Sequence, residues 1–364
     1  VELAHVLRTA YRASVGAATL AALPLRARDG RIAVCYGGAF GGDVGGPRVK
    51  VRSLMRRFPE RRSGYSLLYL LSNALYLPQP VVAAACRAGV PVVLNQNGVF
   101  YPAWFPKCWE RENARIAKVH AAASHVIYQS EFCRRCAERF LGPRAERWEV
   151  FPNAVDTARF RPAEHPRPSR PFTFLVTGNI GAPTAYRLIS SIEGLYAARK
   201  GGLDVRLVIA GTLDRRVETE ARSLAGRLDT AHAVAFRGPY AARQAPAVYQ
   251  GADAYLMTKH NDPCPNVVLE ALACGLPVLY SASGGVPELV GEGAGVRLPV
   301  AETFDAVPVP APLAIAAGME RIIRSHVAMS RAARARAVAR FELAAWLDRH
   351  AALFARLLAE RLPA

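Results

Sequence analysis

The sequence predicts an α/β protein made of two doubly wound parallel-sheet domains in series. Short apolar runs alternate with helical stretches from Arg31 onward, the pattern of a parallel sheet covered on both faces. The alternation breaks at Arg161–Pro171, where prolines 162, 166, 168 and 171 stand, and then restarts. The 364 residues give each half enough chain to bury its own core. A composition 51% hydrophobic and 21% charged excludes a disordered or collagen-like chain. The expected segments are a helical extension over 1–30, a first domain over 31–165, a second over 166–340, and a C-terminal helix over 341–364 bracing the two.

Taken in order, Arg8 and Arg12 precede a charge-free Ala13–Leu25, which has the length of a signal-peptide core. Leu3, Val6, Leu7, Ala10 and Tyr11 nevertheless share one face of a helix, and the helix is the preferred reading because a strand–glycine–helix pattern follows directly. Arg31–Tyr36, Ser66–Leu71, Val90–Leu94 and His125–Gln129 read as buried strands, with helices from Pro47–Arg48, over Pro80–Ala88 and over Pro106–Ala122. The second set of strands is Phe172–Thr177, Val205–Ala210, Ala233–Phe236, Ala254–Met257 and Pro277–Tyr280. Ser63–Cys86 carries no charge, but Ser66, Ser72, Asn73, Pro78, Gln79 and Pro80 interrupt it too often for a membrane span. Seven cysteines at spacings without a framework point to a reduced, cytoplasmic compartment. Cys133-Arg-Arg-Cys136 has redox spacing, yet it follows Ser130, a good helix N-cap, and reads as structural. The eight histidines show no metal spacing, and His260 alone lies near the chemistry described next, at the surface or behind the site.

Ligands of doubly wound sheets lie beyond the carboxyl ends of the strands, so the loops there carry the function. Gly37–Gly46 holds six glycines but fits neither Gly-x-Gly-x-x-Gly nor a P-loop, which argues against a nicotinamide cofactor and a P-loop NTPase. A Ser-His-Asp hydrolase lacks its Gly-x-Ser-x-Gly elbow. The strongest signal spans Asp253–Gly291: a strand, a polar loop, and a helix starting near Pro265. Asp262 stands before that helix and Glu270 two turns along it, with the N–H groups of Asn266 and Val267 between them, where helix polarity favours a phosphate.

This segment resembles glycosyltransferase family 4, which has the GT-B fold of two facing Rossmann-like domains around a central cleft and carries a Glu-x7-Glu motif. The second Glu opens Glu270-Ala-Leu-Ala-Cys-Gly-Leu-Pro-Val. The resemblance extends to Phe151-Pro-Asn-Ala-Val-Asp156, Phe160-Arg-Pro162, Phe236-Arg-Gly238, Tyr249 and Gly284-Gly-Val-Pro-Glu288. It implies an acceptor-binding first domain and a second domain that binds a nucleotide-sugar donor, with transfer that retains anomeric configuration and needs no metal or other cofactor. Glu270 is then expected on the ribose hydroxyls and Asp262 on a hydroxyl of the transferred sugar. Gly45 and Gly46 are expected near the diphosphate, with the Asn266–Val267 amides.

The departures matter as much. Asp262 replaces a Glu, Pro265 removes an amide where glycine is common, and Asn97 stands at the usual histidine. Gly178-Asn179 replaces the phosphate-binding Gly-Arg step, and the expected Lys aligns with Tyr186. Arg187 and Lys259 are the expected replacement charges, and with Asp262 and Asn97 the latter completes the catalytic set.

The chain carries a net charge of +18, and residues 1–165 hold 24 basic side chains against 12 acidic. Arg48, Lys50, Arg52, Arg56 and Arg57 crowd one stretch, which suggests an anionic acceptor or an anionic membrane surface and a peripheral place on its inner face. The lack of a zinc finger or RNA-recognition motif argues against nucleic acid. The expected activity is glycosyl transfer to an unidentified glycan, glycolipid or small-molecule acceptor, as in polysaccharide or glycolipid biosynthesis. The alternatives are a nucleotide-sugar epimerase or hydrolase on the same fold, or a degenerate protein that binds sugar nucleotides or polyanions.

Overall fold

The computed structural model of the protein describes residues 2–43, 45–164 and 171–360, with side chains from Val6 onward. It divides into one unit of Val1–Pro152 with Ala344–Ala364 and a second of Asn153–Leu343. The proline-rich stretch at which the sequence pattern breaks falls partly outside the described residues, at 165–170.

The first unit begins with α1 (Glu2–Ala22) and continues through β1 (Val34–Cys35), α2 (Gly46–Met55), β2 (Leu67–Leu71), α3 (Gln79–Arg87), β3 (Val92–Gln96), α4 (Trp109–Ala122), β4 (His125–Tyr128), α5 (Glu131–Leu141) and β5 (Trp148–Val150). Its five strands are all parallel and lie in chain order. Every residue of β2 and β3 is buried, as continuous apolar runs require when both faces are covered. The run at Arg31–Tyr36 pairs only over Val34 and Cys35, because the Ser66 hydroxyl takes the Arg31 carbonyl at 2.8 Å and the Ala33 N–H at 3.0 Å that a longer ladder would use. Ser130 caps α5 by accepting from the Cys133 N–H at 3.1 Å, and Cys133 and Cys136 are buried and unbridged.

The second unit runs β6 (Phe172–Thr177), α6 (Tyr186–Lys200), β7 (Val205–Ala210), α7 (Arg215–Arg227), β8 (Val234–Phe236), α8 (Ala245–Gln250), β9 (Ala254–Met257), α9 (Asn266–Ala273), β10 (Val278–Ser281), α10 (Val286–Val290), β11 (Gly295–Leu298), α11 (Pro312–Arg324) and α12 (His326–Phe341). Its six parallel strands have the order β11-β10-β9-β6-β7-β8. The order therefore reverses between β6 and β9, and that switch point is where an open parallel sheet leaves a crevice for ligand. One core lies on α8, α9, α10 and α12, and the other on α6, α7 and α11, so both faces are covered.

The last helix, α13 (Leu343–Ala359), packs from Ala344 onward within the first unit. Phe354 meets Phe58 and Tyr69 edge-on at 5.1 and 5.9 Å, and the Trp346 indole N–H donates to the Pro152 carbonyl at 2.9 Å. No helix among the described residues is long and apolar enough to cross a membrane.

Glu149 on β5 ties this helix down. Arg349 donates to its Oε2 at 2.5 and 3.0 Å, and His125 Nε2 lies 3.2 Å from its Oε1. Burial alone would raise the Glu149 pKa, but the nearby His125 ring and the Arg349 hydrogen bonds outweigh it and bring the carboxyl down to about 2. A depressed carboxyl contributes stability above its unfolded pKa and loses it as pH falls. Glu149→Gln is expected to cost about 1–2 kcal/mol at pH 7, discounted for the exposure of Arg349. Denaturant melts should show that gap narrowing between pH 4.5 and 2, and a gap independent of pH would exclude this account.

Candidate functional site

The site is assembled at the carboxyl ends of β6 and β9. After β9 the chain turns through Thr258–Pro265, with Asn261 at φ +51°. Neighbouring loops fix this turn. The Gly285 N–H donates to the Asp262 carbonyl at 2.9 Å, and the Asn261 N–H to Ser283 Oγ at 3.1 Å. Asn261 Nδ2 and His260 Nε2 both donate to the Thr303 carbonyl at 2.9 Å, which sets the tautomer of the imidazole. His260 is buried rather than at the surface, and desolvation holds its pKa below the usual histidine value. Within this frame Asp262 Oδ1 accepts from the Cys264 N–H at 3.2 Å, and Oδ2 takes the Lys259 ammonium at 2.7 Å. Lys259, expected as a replacement charge for phosphate, is thus an ion-pair partner of Asp262.

α9 starts at Asn266 with Pro265 as its N-cap, and no side chain caps it. Asn153 steadies this end: its Nδ2 donates to the Cys264 carbonyl at 3.0 Å and to Asn266 Oδ1 at 2.8 Å. Asn266 and Val267 are half-buried there. Sequence reasoning gave Asn153 no role, although Phe-Pro-Asn-Ala-Val-Asp was visible as a motif. Further along α9, half-buried Glu270 accepts from the Tyr249 hydroxyl at 2.6 Å. Desolvation by burial raises the Glu270 carboxyl to about 7, against the opposing pull of the Tyr249 hydrogen bond and the Arg159 charge.

On the β6 side, Gly178 at φ +139° and Gly211 at φ +126° pack backbone against backbone, and a Cβ at Gly211 would stand 2.1 Å from the Gly178 carbonyl oxygen. Asn179 is exposed beside this turn. Arg187, in the first turn of α6, is only 4% exposed. Its Nη2 donates to the Thr177 carbonyl at 3.1 Å, while its Nε has no partner among the described residues. No carboxylate among those residues pairs with this guanidinium.

The remaining expected residues lie in the first unit. Gly45, at φ +90°, caps α2, and neither it nor Gly46 has an atom within 4 Å of where a Cβ would stand. Arg48, Arg56 and Arg57 are exposed, Arg57 being paired with Asp348, and half-buried Arg52 pairs with Asp43. Lys50 must be removed from the proposed surface. It is 6% exposed, and its ammonium donates to Asn95 Oδ1 at 2.6 Å and Asn97 Oδ1 at 3.0 Å. Residue 50 falls on the buried side of α2 with Val51 and Leu54, where its stem packs and the amides take its charge. Asn97 is further held by Asn73 and Gln129.

The loop frame yields a direct test. Gly284 has φ +70°, and a Cβ there would stand 2.4 Å from the Asp262 carbonyl oxygen. Gly284→Ala is expected to cost about 1–3 kcal/mol in a denaturant melt. A variant that melts with the native protein would show that this frame does not fix Asp262.

The family profile "Glycosyltransferase Family 4" matches residues 6–159, and "Glycosyl transferases group 1" matches residues 171–325. A D-inositol 3-phosphate glycosyltransferase of Pseudarthrobacter chlorophenolicus is 27% identical over 195 residues, 52% of this chain and 46% of that protein. A GDP-mannose-dependent alpha-mannosyltransferase of Mycobacterium tuberculosis is 27% identical over 282 residues, 73% of this chain and 67% of that one. The chain matches less than half the length of the inositol phosphate enzymes. HepE of Anabaena, solved in complex with UDP, superposes with a TM-score of 0.63 at 20% identity, covering 80% of this chain and 79% of that one. Sucrose-phosphate synthase from Thermosynechococcus elongatus gives 0.63 at 19% identity over 85% and 76%. The two profiles between them cover most of the chain, one on each parallel-sheet unit, and the protein belongs to glycosyltransferase family 4 on the GT-B fold.

Proposed function

We propose that this protein transfers a glycosyl group from a nucleotide-sugar donor bound to the second unit, with retention of anomeric configuration. The observation that carries this reading is the convergence of three groups at the β6/β9 switch point. Glu270 is a hydrogen-bonded carboxylate suited to paired ribose hydroxyls, the uncapped start of α9 offers N–H groups to a diphosphate, and Arg187 is a buried cation without a carboxylate. A buried guanidinium lacking a counter-charge is costly in a free protein, and a bound anion offsets that cost. Family membership supports the donor class, since HepE was solved with UDP and with UDP-glucose.

In the proposed reaction the bond from the anomeric carbon to the phosphate oxygen breaks, and its electron pair leaves with the nucleoside diphosphate. The acceptor hydroxyl attacks from the same face, and its proton passes to the departing phosphate oxygen. Arg187 and the α9 N–H groups stabilise the charge that develops on the diphosphate. Asp262, ordered by Lys259, orients a hydroxyl of the transferred sugar. No metal enters this scheme, so chelation with EDTA leaves turnover unchanged. The acceptor is an anionic polyol, glycan or glycolipid, consistent with the Arg48, Arg56 and Arg57 surface and with relatives named for D-inositol 3-phosphate. The same surface suits peripheral association with anionic lipid on the cytoplasmic face.

Thermal melting with UDP-glucose, GDP-mannose and ADP-glucose tests the donor site. One conjugate, at a hundred times its Kd, is expected to stabilise the fold by about 2.7 kcal/mol, and Glu270→Ala abolishes the shift. No shift with any conjugate, or a shift that survives Glu270→Ala, overturns the reading. Arg187→Met separates a ligand role from a structural one. The unliganded variant is expected to melt at or above the native temperature, because an uncompensated buried charge is gone, while donor affinity falls about tenfold or more. A variant that melts lower and binds equally well would make Arg187 structural.

A further inference from the structure

Beneath the site, the hydroxyl groups of the second unit form a continuous buried chain. Tyr249 on α8, Tyr255 on β9 and Thr177 at the end of β6 are each fully buried. The Tyr249 hydroxyl donates to Glu270 Oε2 at 2.6 Å and lies 3.4 Å from Thr177 Oγ1. Tyr255 Oη lies 3.0 Å from Thr177 Oγ1 and donates to the Thr177 carbonyl at 3.4 Å. The same carbonyl accepts from Arg187. The carboxylate at one end and the guanidinium at the other are therefore joined through four groups that water does not reach.

A phenol has one proton to donate. Tyr249 spends it on Glu270, and the lone pairs of its oxygen face Thr177. The ring cannot turn away, being packed against Phe160 at 5.9 Å and Tyr255 at 6.0 Å. The carboxylate thereby has one oxygen fixed from the protein side, and its other lone pairs have acceptor capacity left. We propose that Tyr249 is a positioning residue for the donor, its buried hydroxyl favouring the ionised form of Glu270 and orienting it to accept a pair of sugar hydroxyls. This rests on the donor reading given above and adds to it a group that touches no substrate.

The consequence is a pH dependence of donor capture. The groups facing Glu270 are Tyr249 from α8, Tyr240 from the turn after β8, Tyr255 from β9, Cys274 at the end of α9, and Arg159 from the segment before β6. The tyrosines and the thiol are neutral across the working range, since burial raises each of them, so Arg159 is the charged group among them. Burial pushes the Glu270 carboxyl up to about 7. A protonated Glu270 accepts poorly from two hydroxyls, so affinity rises as pH climbs from 6 to 8. Removing the Tyr249 donor moves that rise to higher pH, because the pull against burial is lost.

The experiment is isothermal titration calorimetry of native protein, Tyr249→Phe and Glu270→Gln with UDP-glucose and GDP-mannose at pH 6, 7, 8 and 9. Their diphosphate diesters do not titrate in this range. Tyr249→Phe is expected to bind about tenfold or more weakly at pH 7, the value of one hydrogen bond to a charged group, and to approach native affinity at pH 9. Glu270→Gln is expected to bind weakly at every pH, without a slope. Equal affinity for native protein and Tyr249→Phe at all pH values overturns the proposal, as does a loss that is the same at each. If Glu270→Gln binds as the native protein does, the donor reading fails instead, and the two failures are distinguishable. Should Tyr249→Phe not fold, Thr177→Val removes the next link in the chain. It is expected to shift the slope the same way by about threefold, and an unshifted slope overturns the proposal.

Discussion

The reversal of strand order between β6 and β9 is the constraint from which the second unit's chemistry follows. Those strands pair only over Phe174–Leu175 and Ala254–Tyr255, and their connections then leave in opposite directions. Thr177 ends one strand and Met257 the other, and the loops that follow turn to opposite sides, the first packing on the loop after β7 and the second on the loop after β10. Side chains from α6, α8 and α9 can converge only at that point. The glycines at 178, 211 and 284 have the same origin: loops forced together at the strand ends approach backbone to backbone, and a Cβ at Gly211 or Gly284 would overlap it.

The polar groups there fall into two kinds. Asp262 is held on both oxygens by its own loop, with Lys259 on one and the Cys264 N–H on the other, and each oxygen keeps a lone pair for a further donor. Glu270 is met by the Tyr249 hydroxyl on one oxygen, and buried Arg187 keeps an Nε without a partner among the described residues, so both retain hydrogen-bonding capacity. A group held at both ends is rigid and a half-met group is receptive to partners, so the site pairs a fixed carboxylate with two receptive groups.

Most of the second sheet was legible because its strands are short, predominantly apolar runs bounded by turn residues. Phe172–Thr177, Val205–Ala210 and Ala254–Met257 have the observed limits. β5 was invisible because Trp-Glu-Val is only three residues long with a charge at its centre, too short for an apolar run to show, and that charge meets Arg349 from far along the chain. β11 has only four residues and an exposed arginine. The spacing of Asp262 and Glu270 along the loop and helix could be read directly, whereas the partners of each could not. Tyr249, Asn153 and Thr177 reach the site from separate elements, and no local pattern records a contact formed by folding. Lys50 misled for the same reason. A lysine within an arginine run reads as surface until the amides of Asn95 and Asn97 are found beneath it.

The return of α13 to the first unit has a temporal consequence. Phe354, Trp346 and His350 fill the space beside Tyr69, Phe58 and Phe151, yet they are translated only after the whole second unit. Vectorial synthesis therefore delivers the first unit with one side of its apolar interior open, while the later unit has every strand it needs by residue 298. The order of maturation is the reverse of the order of emergence: the half made first must wait, exposed, for α13 to follow the second unit off the ribosome.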